Sequence, residues 1–574
     1  MANKVKGSAV AEVKIGPFVG GINRHSDASA IADDECTDIV NFDIDLDGSL
    51  KSRPPWNLLN TGEAQTVAGA SLPTCRQLIL YTGTYGGVRF IIYDTNALNG
   101  GGTNYQARIY YVDGPNAGQS NLIATGLYYK AVRYNDLIYL ISNINTSHNG
   151  QKYDLSTGTV TAVASMPRGY SAAVYKDRLW ICGRRGATDL NTSRLYFSNL
   201  GNFDTFSGSD FFDVAPGDGD ALQDLIVYQD NLVLFKDSAS YVLAYDTQPA
   251  QASLVNINNN IGVQGPLCIQ AYEDSIFLQM HNKIYEMNNY VFSQISTKVP
   301  YEFDQDVPIV APYGNASQSW AWAMTLSLVG DRLYSRFFNR LYVYHLRLRA
   351  WSRYDSEDTN IKYLGPIMEL DSTNTGTLRG WKTFVGVSAL WYSMDALGNG
   401  SSGAWKLYDK IFVMEDRYES ARVEDGDTAI SSTASPVDIE CTLSTKVYDV
   451  GISHRFKRLF HWGVDCISGR NVEGILLPFS VAYKVTWDEL ASYQWSQLQT
   501  WGYPLFEIPS TSQIQPSPGA LFREFIRFPK SLRFRLMQFQ VNMLSSGNTT
   551  DGPARLYSLT AFVSSKQLVP KAVN

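Results

Sequence analysis

At 574 residues the chain is too long for one compact core, so two or three domains are expected unless a large β architecture absorbs most of it. Charged residues make up 18% of the chain and aromatic residues 13%, and low charge with many Tyr, Phe, Val and Ile favours β structure. The net charge of −7 excludes a nucleic-acid-binding protein of the strongly basic kind.

The opening residues, MANKVKGSAVAEVKIGPF, lack the central apolar stretch of a signal peptide. No run reaches the ~18 consecutive apolar residues of a spanning helix, so no membrane insertion is expected. Residues 1–64 are predicted to form an N-terminal arm and β-hairpin. Within them Asp43-x-Asp45-x-Asp47-Gly48 imitates the start of a calcium loop. An EF-hand needs a glutamate at its twelfth position, where this chain has Pro54. The alternation of Ile39, Asn41, Asp43 and Asp45 against Val40, Phe42, Ile44 and Leu46 predicts instead a strand with one wet face. Its turn is predicted at Leu46-Asp47-Gly48-Ser49, because Asp-Gly is a strong two-residue hairpin signal.

From about residue 65 to 418 a unit repeats. VRYNDLIYLIS (132–142), AVYKDRLWICG (173–183), IVYQDNLVLFK (226–236), QAYEDSIFLQM (270–280) and the weaker LVGDRLYSRFF (328–338) each place an aspartate between two apolar runs. Aspartate suits such a turn because it tolerates left-handed backbone and can bond the backbone two residues on. The runs after the turns are apolar on both faces, which implies sheets covered on both sides. Third strands follow at 152–158, 193–199, 240–246, 283–289 and 341–351. Looser units at 75–130 and 376–418 bracket the series. Three or four strands every ~40–55 residues is blade spacing, so an all-β β-propeller of about six or seven blades is predicted.

The polar, Ser/Thr-rich stretch 419–437 reads as a linker. Beyond it IECTLSTKVYDVG, VAYKVTW, SLRFRLMQFQVNM and RLYSLTAFVSS alternate with period two, which predicts a C-terminal β-sandwich over 438–574. WDELASYQWSQLQT (487–500) is the best short helical candidate. Glycine-rich stretches at 94–106 and 395–404 read as long loops.

Six histidines and six cysteines are scattered, without close-spaced metal-ligand pairs, and the cysteines read as buried reduced thiols. No catalytic or nucleotide motif occurs. No catalytic residue, metal or cofactor is therefore assigned, and an enzyme is not expected. Asp210, Asp213, Asp218, Asp220 and Asp224 could supply the carboxylate pair of a propeller glycosidase, but PGDGD is also turn-forming composition. Two charge features stand out. Residues 27–47 hold eight acids and no Lys or Arg, while 523–535 hold five bases against Glu524. Each reads as a solvated face or as one side of a complementary contact between subunits. The candidate contact residues are Asp33, Asp34, Glu35, Asp38, Arg523, Arg527, Arg533 and Arg535.

Several stretches resemble one family. The opening segment 16–56, with Gly20-Gly21-Ile22-Asn23, the acidic run Asp33–Asn41 and the hairpin ending in Lys51–Pro54, resembles the start of tailed-bacteriophage tail proteins of the nozzle type (tail tubular protein B) and of related propeller-bearing minor tail proteins. Residues 194–243 are similar to a blade of those proteins, 260–296 to the blade after it, and 445–460 to the start of their C-terminal sandwich. The resemblance implies a structural virion protein assembled in the bacterial cytoplasm. It would form a homo-oligomeric, hexameric ring at the distal tail, beside other tail or head-to-tail adaptor proteins, and genomic DNA would pass through it without tight binding. A net acidic wall fits that role, since each neutralised phosphate would add attraction. The alternatives are a tail-tip protein that binds a host receptor and a propeller glycosidase that degrades host polysaccharide.

Overall fold

The computed structural model describes residues 10–53, 56–58, 64–67, 78–99, 102–126, 128–142, 150–183, 191–245, 248–299 (except 264, 266, 267, 281 and 282), 324–337, 340–355, 363–369, 382–388, 390–392, 405–408, 410–415, 439–448, 457–467, 479–486, 506–507, 522–534, 536–545 and 555–565. They form an all-β molecule of two modules, a β-propeller and a β-sandwich.

Among the described residues seven blades of four antiparallel strands are seen, six as separate sheets and the sixth blade as one end of a ten-stranded sheet. Blade 1 is Leu78–Tyr85, Val88–Asn99, Gly102–Tyr111 and Ser120–Thr125. Blade 2 is Tyr128–Tyr134, Leu137–Ser142, Gln151–Asp154 and Val160–Ala162. Blade 3 is Ser171–Tyr175, Arg178–Cys182, Arg194–Phe197 and Phe211–Asp213. Blade 4 is Leu222–Tyr228, Asn231–Lys236, Ser240–Ala244 and Ser253–Asn258. Blade 5 is Ile269–Tyr272, Ser275–Met280, Lys283–Asn288 and Val291–Gln294. Blade 6 is Met324–Val329, Arg332–Phe337, Arg340–His345 and Ala350–Asp355. Blade 7 takes Tyr363–Glu369, Lys382–Ser388 and Lys410–Glu415, and its outer strand is Trp56–Leu58 from the start of the chain. The first strands of successive blades lie side by side, and that of blade 7 lies against that of blade 1, so the ring closes. The second strands, Leu137–Ser142 and Asn231–Lys236 among them, are buried on both faces between neighbouring blades, as their unbroken apolar runs require.

The repeated turns are two-residue hairpins, with Tyr134 opposite Leu137, Tyr175 opposite Arg178, Tyr228 opposite Asn231 and Tyr272 opposite Ser275. The left-handed residue common to all five is the one before the aspartate: Asn135, Lys176, Gln229, Glu273 and Gly330. Primed turns need positive φ first at that position, and the aspartate shares it only at Asp177 and Asp230. The stretch 94–106, expected as a loop, is a hairpin in which Val88–Asn99 pairs with Gly102–Tyr111.

The sandwich is built from both ends of the chain. One sheet runs Phe42–Ile44, Leu50–Ser52, Arg555–Ser565, Lys457–Ile467, Phe522–Phe534, with Val10–Ile15 also on Arg555–Ser565. The other runs Glu35–Val40, Ile439–Tyr448, Leu536–Ser545, Phe479–Thr486, Phe506–Glu507. It is continuous with blade 6, because Val40 pairs in parallel with Arg353. The opening segment is therefore no separate arm. Its first five strands complete the sandwich, Trp56–Leu58 completes blade 7, and Ala64–Val67 pairs with Trp405–Tyr408 in a separate three-stranded sheet. SLRFRLMQFQVNM, expected as one strand, is divided between Phe522–Phe534 and Leu536–Ser545, which lie in different sheets, a change of sheet typical of sandwich corners. Phe539, Val541 and Met543 point into the core, as the alternation required. One apolar cluster runs from the sandwich (Phe42, Leu443, Val541, Ala561) into blades 5 and 6 (Leu278, Leu333, Trp351). The linker 419–437, the helical candidate 487–500 and the loop 395–404 lie outside the described residues.

Candidate functional site at the propeller–sandwich junction

The alternation over residues 39–46 changes phase at Asn41. Ile39 and Phe42 are both buried, and between them Asn41 takes φ 57°. The short Asn side chain tolerates that conformation, and here it becomes a hub. Its Oδ1 accepts from Arg53 Nε (3.0 Å) and from the Asp355 N–H (2.9 Å), and its own N–H donates to the Arg353 carbonyl (2.8 Å). Beyond the kink the hairpin turn is set one residue earlier than Asp-Gly alone suggests. Asp45 N–H donates to Ser49 O, Gly48 N–H donates to Asp45 O, and Gly48 holds φ 80°. Leu46 is exposed at its tip.

The acidic segment serves as counter-charge to bases from distant parts of the chain. Arg332 of blade 6 forks onto Asp43 (Nε–Oδ1 2.9 Å, Nη2–Oδ2 3.0 Å). Asp38 Oδ2 takes both Arg24 (2.7 Å) and Arg353 (3.1 Å). Glu35 takes Lys298 (2.9 Å), Asn23 Nδ2 (2.7 Å) and the Ala32 N–H (3.0 Å). Asp33 pairs with Lys446, and Asp45 with Arg555 (3.2 Å). Burial pushes the Glu35 carboxyl up, but Lys298 and the two N–H donors outweigh it and hold it below its ordinary value. Buried His345 sits beside this cluster. It accepts from Leu348 N–H at Nδ1 (3.4 Å), and its Nε2 is 3.7 Å from Asp331. Burial, then the Arg332 charge, hold it below its ordinary value against Asp331 and Asp43.

A pocket of about 310 Å³ opens at this junction, lined by Asn23, Arg24, Ser26, Ala28, Thr37, Asp38 and Ser444. Thr37 donates to the Ser444 and Thr445 carbonyls (3.1 Å each), and Gln538 donates to Thr37 Oγ1 (3.1 Å). The charged groups around the pocket are bonded to one another, so its chemistry is clamping: ion pairs and hydrogen bonds hold two modules in one register.

Of the acids expected at a subunit contact, Asp33, Glu35 and Asp38 are thus engaged within the chain, and Asp34 is half-exposed. Arg523, Arg527 and Arg533 lie on the last strand of one sandwich sheet, opposite Asp465, His461 and Arg458. Arg535 lies outside the described residues. The glycosidase candidates are dispersed, with Asp213 and Asp224 on strands of blades 3 and 4 and the others in the connections between strands. Asp218 clamps the fully buried Lys236 (2.7 Å), Asp220 accepts from the Asp237 and Ser238 N–H groups (2.9 and 3.0 Å), and Asp213 pairs with Arg194 (2.8 Å). Asp210 accepts from the Ser207 N–H (3.0 Å), and buried Asp224 accepts from Ser171 Oγ and the Leu225 N–H. Cys36, Cys182, Cys268 and Cys441 are buried free thiols, with Cys268 pushed up to about 12 by burial. Among the described residues no three His, Cys, Asp or Glu converge as metal ligands, and no helix is long and apolar enough to cross a membrane.

Sequence reasoning missed the basic half of the junction: Arg24, Lys298, Arg332, Arg353 and Lys446. It also missed the tyrosine two residues before four of the five turn aspartates, which was visible as Tyr-x-Asp. Tyr175 donates to the carbonyl of Asp230 in the next blade (2.9 Å), and Tyr228 to that of Asp274 (2.6 Å). The repeat is thus a blade-to-blade fastener as well as a turn.

No protein-family model and no curated protein matches the chain. Among solved structures it is similar to β-propeller domains. The WD40 domain of Neurospora crassa Pan2 is 9% identical and covers 63% of this chain and 96% of its own, with TM-score 0.34. The CNH domain of AfRom2 is 8% identical, covering 60% and 98%, with TM-score 0.33. The β-propeller domain of the Trilobed protease from Pyrococcus furiosus is 10% identical, covering 58% and 96%, with TM-score 0.29.

Proposed function

We propose that this chain is a structural component of a bacteriophage tail, forming an oligomeric ring at the distal tail that acts as the channel for genome ejection. The observation that carries the reading is that segments resembling the nozzle family, Gly20–Asn23, Asp33–Asn41 and the described part of the third, Lys51–Arg53, supply the propeller–sandwich junction. Glu35 and Asp38 pair there with Lys298 and Arg353. A ring that transmits load needs its modules fixed to one another, and a segment shared by both modules provides that. The role proposed is non-enzymatic, and the net charge of −7 suits passage of DNA without tight binding. Gold-labelled antibody to the chain should decorate the distal tail of intact virions, and images of the purified tail should show a ring there. Virions that lack the chain, or carry it only on the capsid, would sink this reading.

A further inference from the structure

Outer strands of propeller blades are sheet edges, and proteins protect edges with charge, bulges, short length or a covering segment. Blade 6 is covered by Glu35–Val40, and the outer strand of blade 7 is Trp56–Leu58. Blade 3 ends in a three-residue strand whose Asp213 is paired to Arg194. The outer strand of blade 4, Ser253–Asn258 (SLVNIN), has six residues, no charge and no proline. Its bulge falls at Ile257, because Ser240 pairs with Asn258 and Tyr241 with Asn256. Ser253–Asn256 is therefore a regular edge with every residue exposed, including Leu254 at 38% and Val255 at 52%. It lies within 26 consecutive residues (247–272) free of Asp, Glu, Lys and Arg. On blade 5 the neighbouring outer strand exposes Val291 at 70%. The turn before it is tied to blade 4 by Gln229–Asn289 and Asn231–Tyr290 hydrogen bonds (3.0 Å each). Both outer strands, the blade 4–blade 5 rim, are uncharged and expose apolar side chains.

Three blades further round the seven-bladed ring, close to the opposite side, a second such rim exists. Blade 1 exposes Leu122 at 51% and blade 2 exposes Val160 at 37%, within stretches 114–129 and 155–167 that also lack charge. Two copies of a chain with net charge −7 repel each other at long range, so they meet at least cost where neither surface carries charge. We infer that the blade 4–blade 5 rim of one copy docks on the blade 1–blade 2 rim of the next, covering Leu254, Val255 and Val291 and pairing the Ser253–Asn256 edge. Because the two rims differ, the contact is head-to-tail, the kind that forms a ring where its rotation closes and a filament where it does not. This inference rests on the ring reading above and names the surface it uses.

The test is the mass of the full-length chain in solution, by light scattering and native mass spectrometry, for wild type and two double variants. Wild type should assemble. V255E/V291E and L122E/V160E should each lose assembly, with association weakened more than about a hundredfold and thermal melting unchanged. L200K, at a residue 64% exposed outside both rims, should assemble as wild type does. Mixing the two double variants should give a heterodimer and no larger species, because each retains the rim the other has lost. Double variants that assemble like wild type would overturn this surface and leave the ring reading standing. A wild-type chain that stays monomeric at tens of micromolar would overturn the inference, while the ring reading is decided separately on virions.

Discussion

The propeller and the sandwich are both all-β, yet they are put together in opposite ways. Each of blades 1 to 6 is a run of sequence-adjacent strands, so its hydrogen bonds are local. In the sandwich Val10 pairs with Ser564 and Thr37 Oγ1 bonds the carbonyl of Ser444, 407 residues away. The propeller resembles a sum of near-identical units, whereas the sandwich exists only when both chain ends are present. The contrast makes different damage expected in each.

The largest effect should come from removing residues 1–53. The sandwich would lose five strands and the propeller its fixed neighbour, so circular dichroism and limited proteolysis should report a propeller-sized fragment beside an unfolded C-terminal region. A truncated chain whose C-terminal region stays protease-resistant would contradict the pairing. Next, Arg332→Ala leaves Asp43 without its buried partner, at a cost of about 3–5 kcal/mol, seen as a lower denaturant midpoint of the junction. Asn41→Ala removes two hydrogen bonds and strains φ, costing about 2–4 kcal/mol, and Asn41→Gly isolates the hydrogen-bond part. Tyr228→Phe deletes two blade-to-blade bonds, one to the Asp274 carbonyl and one from the Asn289 N–H, costs about 1–3 kcal/mol, and should lower propeller stability while sparing the sandwich.

The smallest effect is on pH. His345 is held below its ordinary value of 6.5 in the fold, so the unfolded chain protonates first as pH falls. Its contribution is full above 6.5 and is lost as pH falls through the folded value. Glu35, held below 4.5, follows the same sign at lower pH. Unfolding midpoints measured between about pH 7.5 and 5.5 should fall, and His345→Gln should flatten that fall.

The same contrast explains what was legible. Blade strands and turns announce themselves within about ten residues, so the five Tyr-x-Asp or Gly-Asp turns could be read directly. Their detail went astray at one position, because the left-handed residue is fixed by turn geometry and not by which side chain tolerates it best. The sandwich strands were visible as alternation, but alternation carries no address, and nothing near Glu35 points to Ile439–Tyr448 as its neighbour. The acidic run was legible as charge alone. Its partners Arg332 and Arg353 lie some 300 residues away, where each looks like an ordinary surface arginine. Asn41 left a trace in the two apolar residues, Ile39 and Phe42, whose spacing breaks period two.

The shared opening segment also sets a timetable for synthesis. Apart from the local pairs Gly21–Ile22 with Glu35–Val40 and Phe42–Ile44 with Leu50–Ser52, the strands of residues 10–58 leave the ribosome hundreds of residues ahead of their partners, since Trp56–Leu58 waits for Lys410–Glu415 and Val10–Ile15 for Arg555–Ser565. Blades 1 to 6 can close as they emerge, but the clasp of blade 7 and the whole sandwich cannot. The nascent chain therefore carries a set of unpaired strands through most of translation, the period when open edges are most prone to mispairing. Completion of both modules is a single late event.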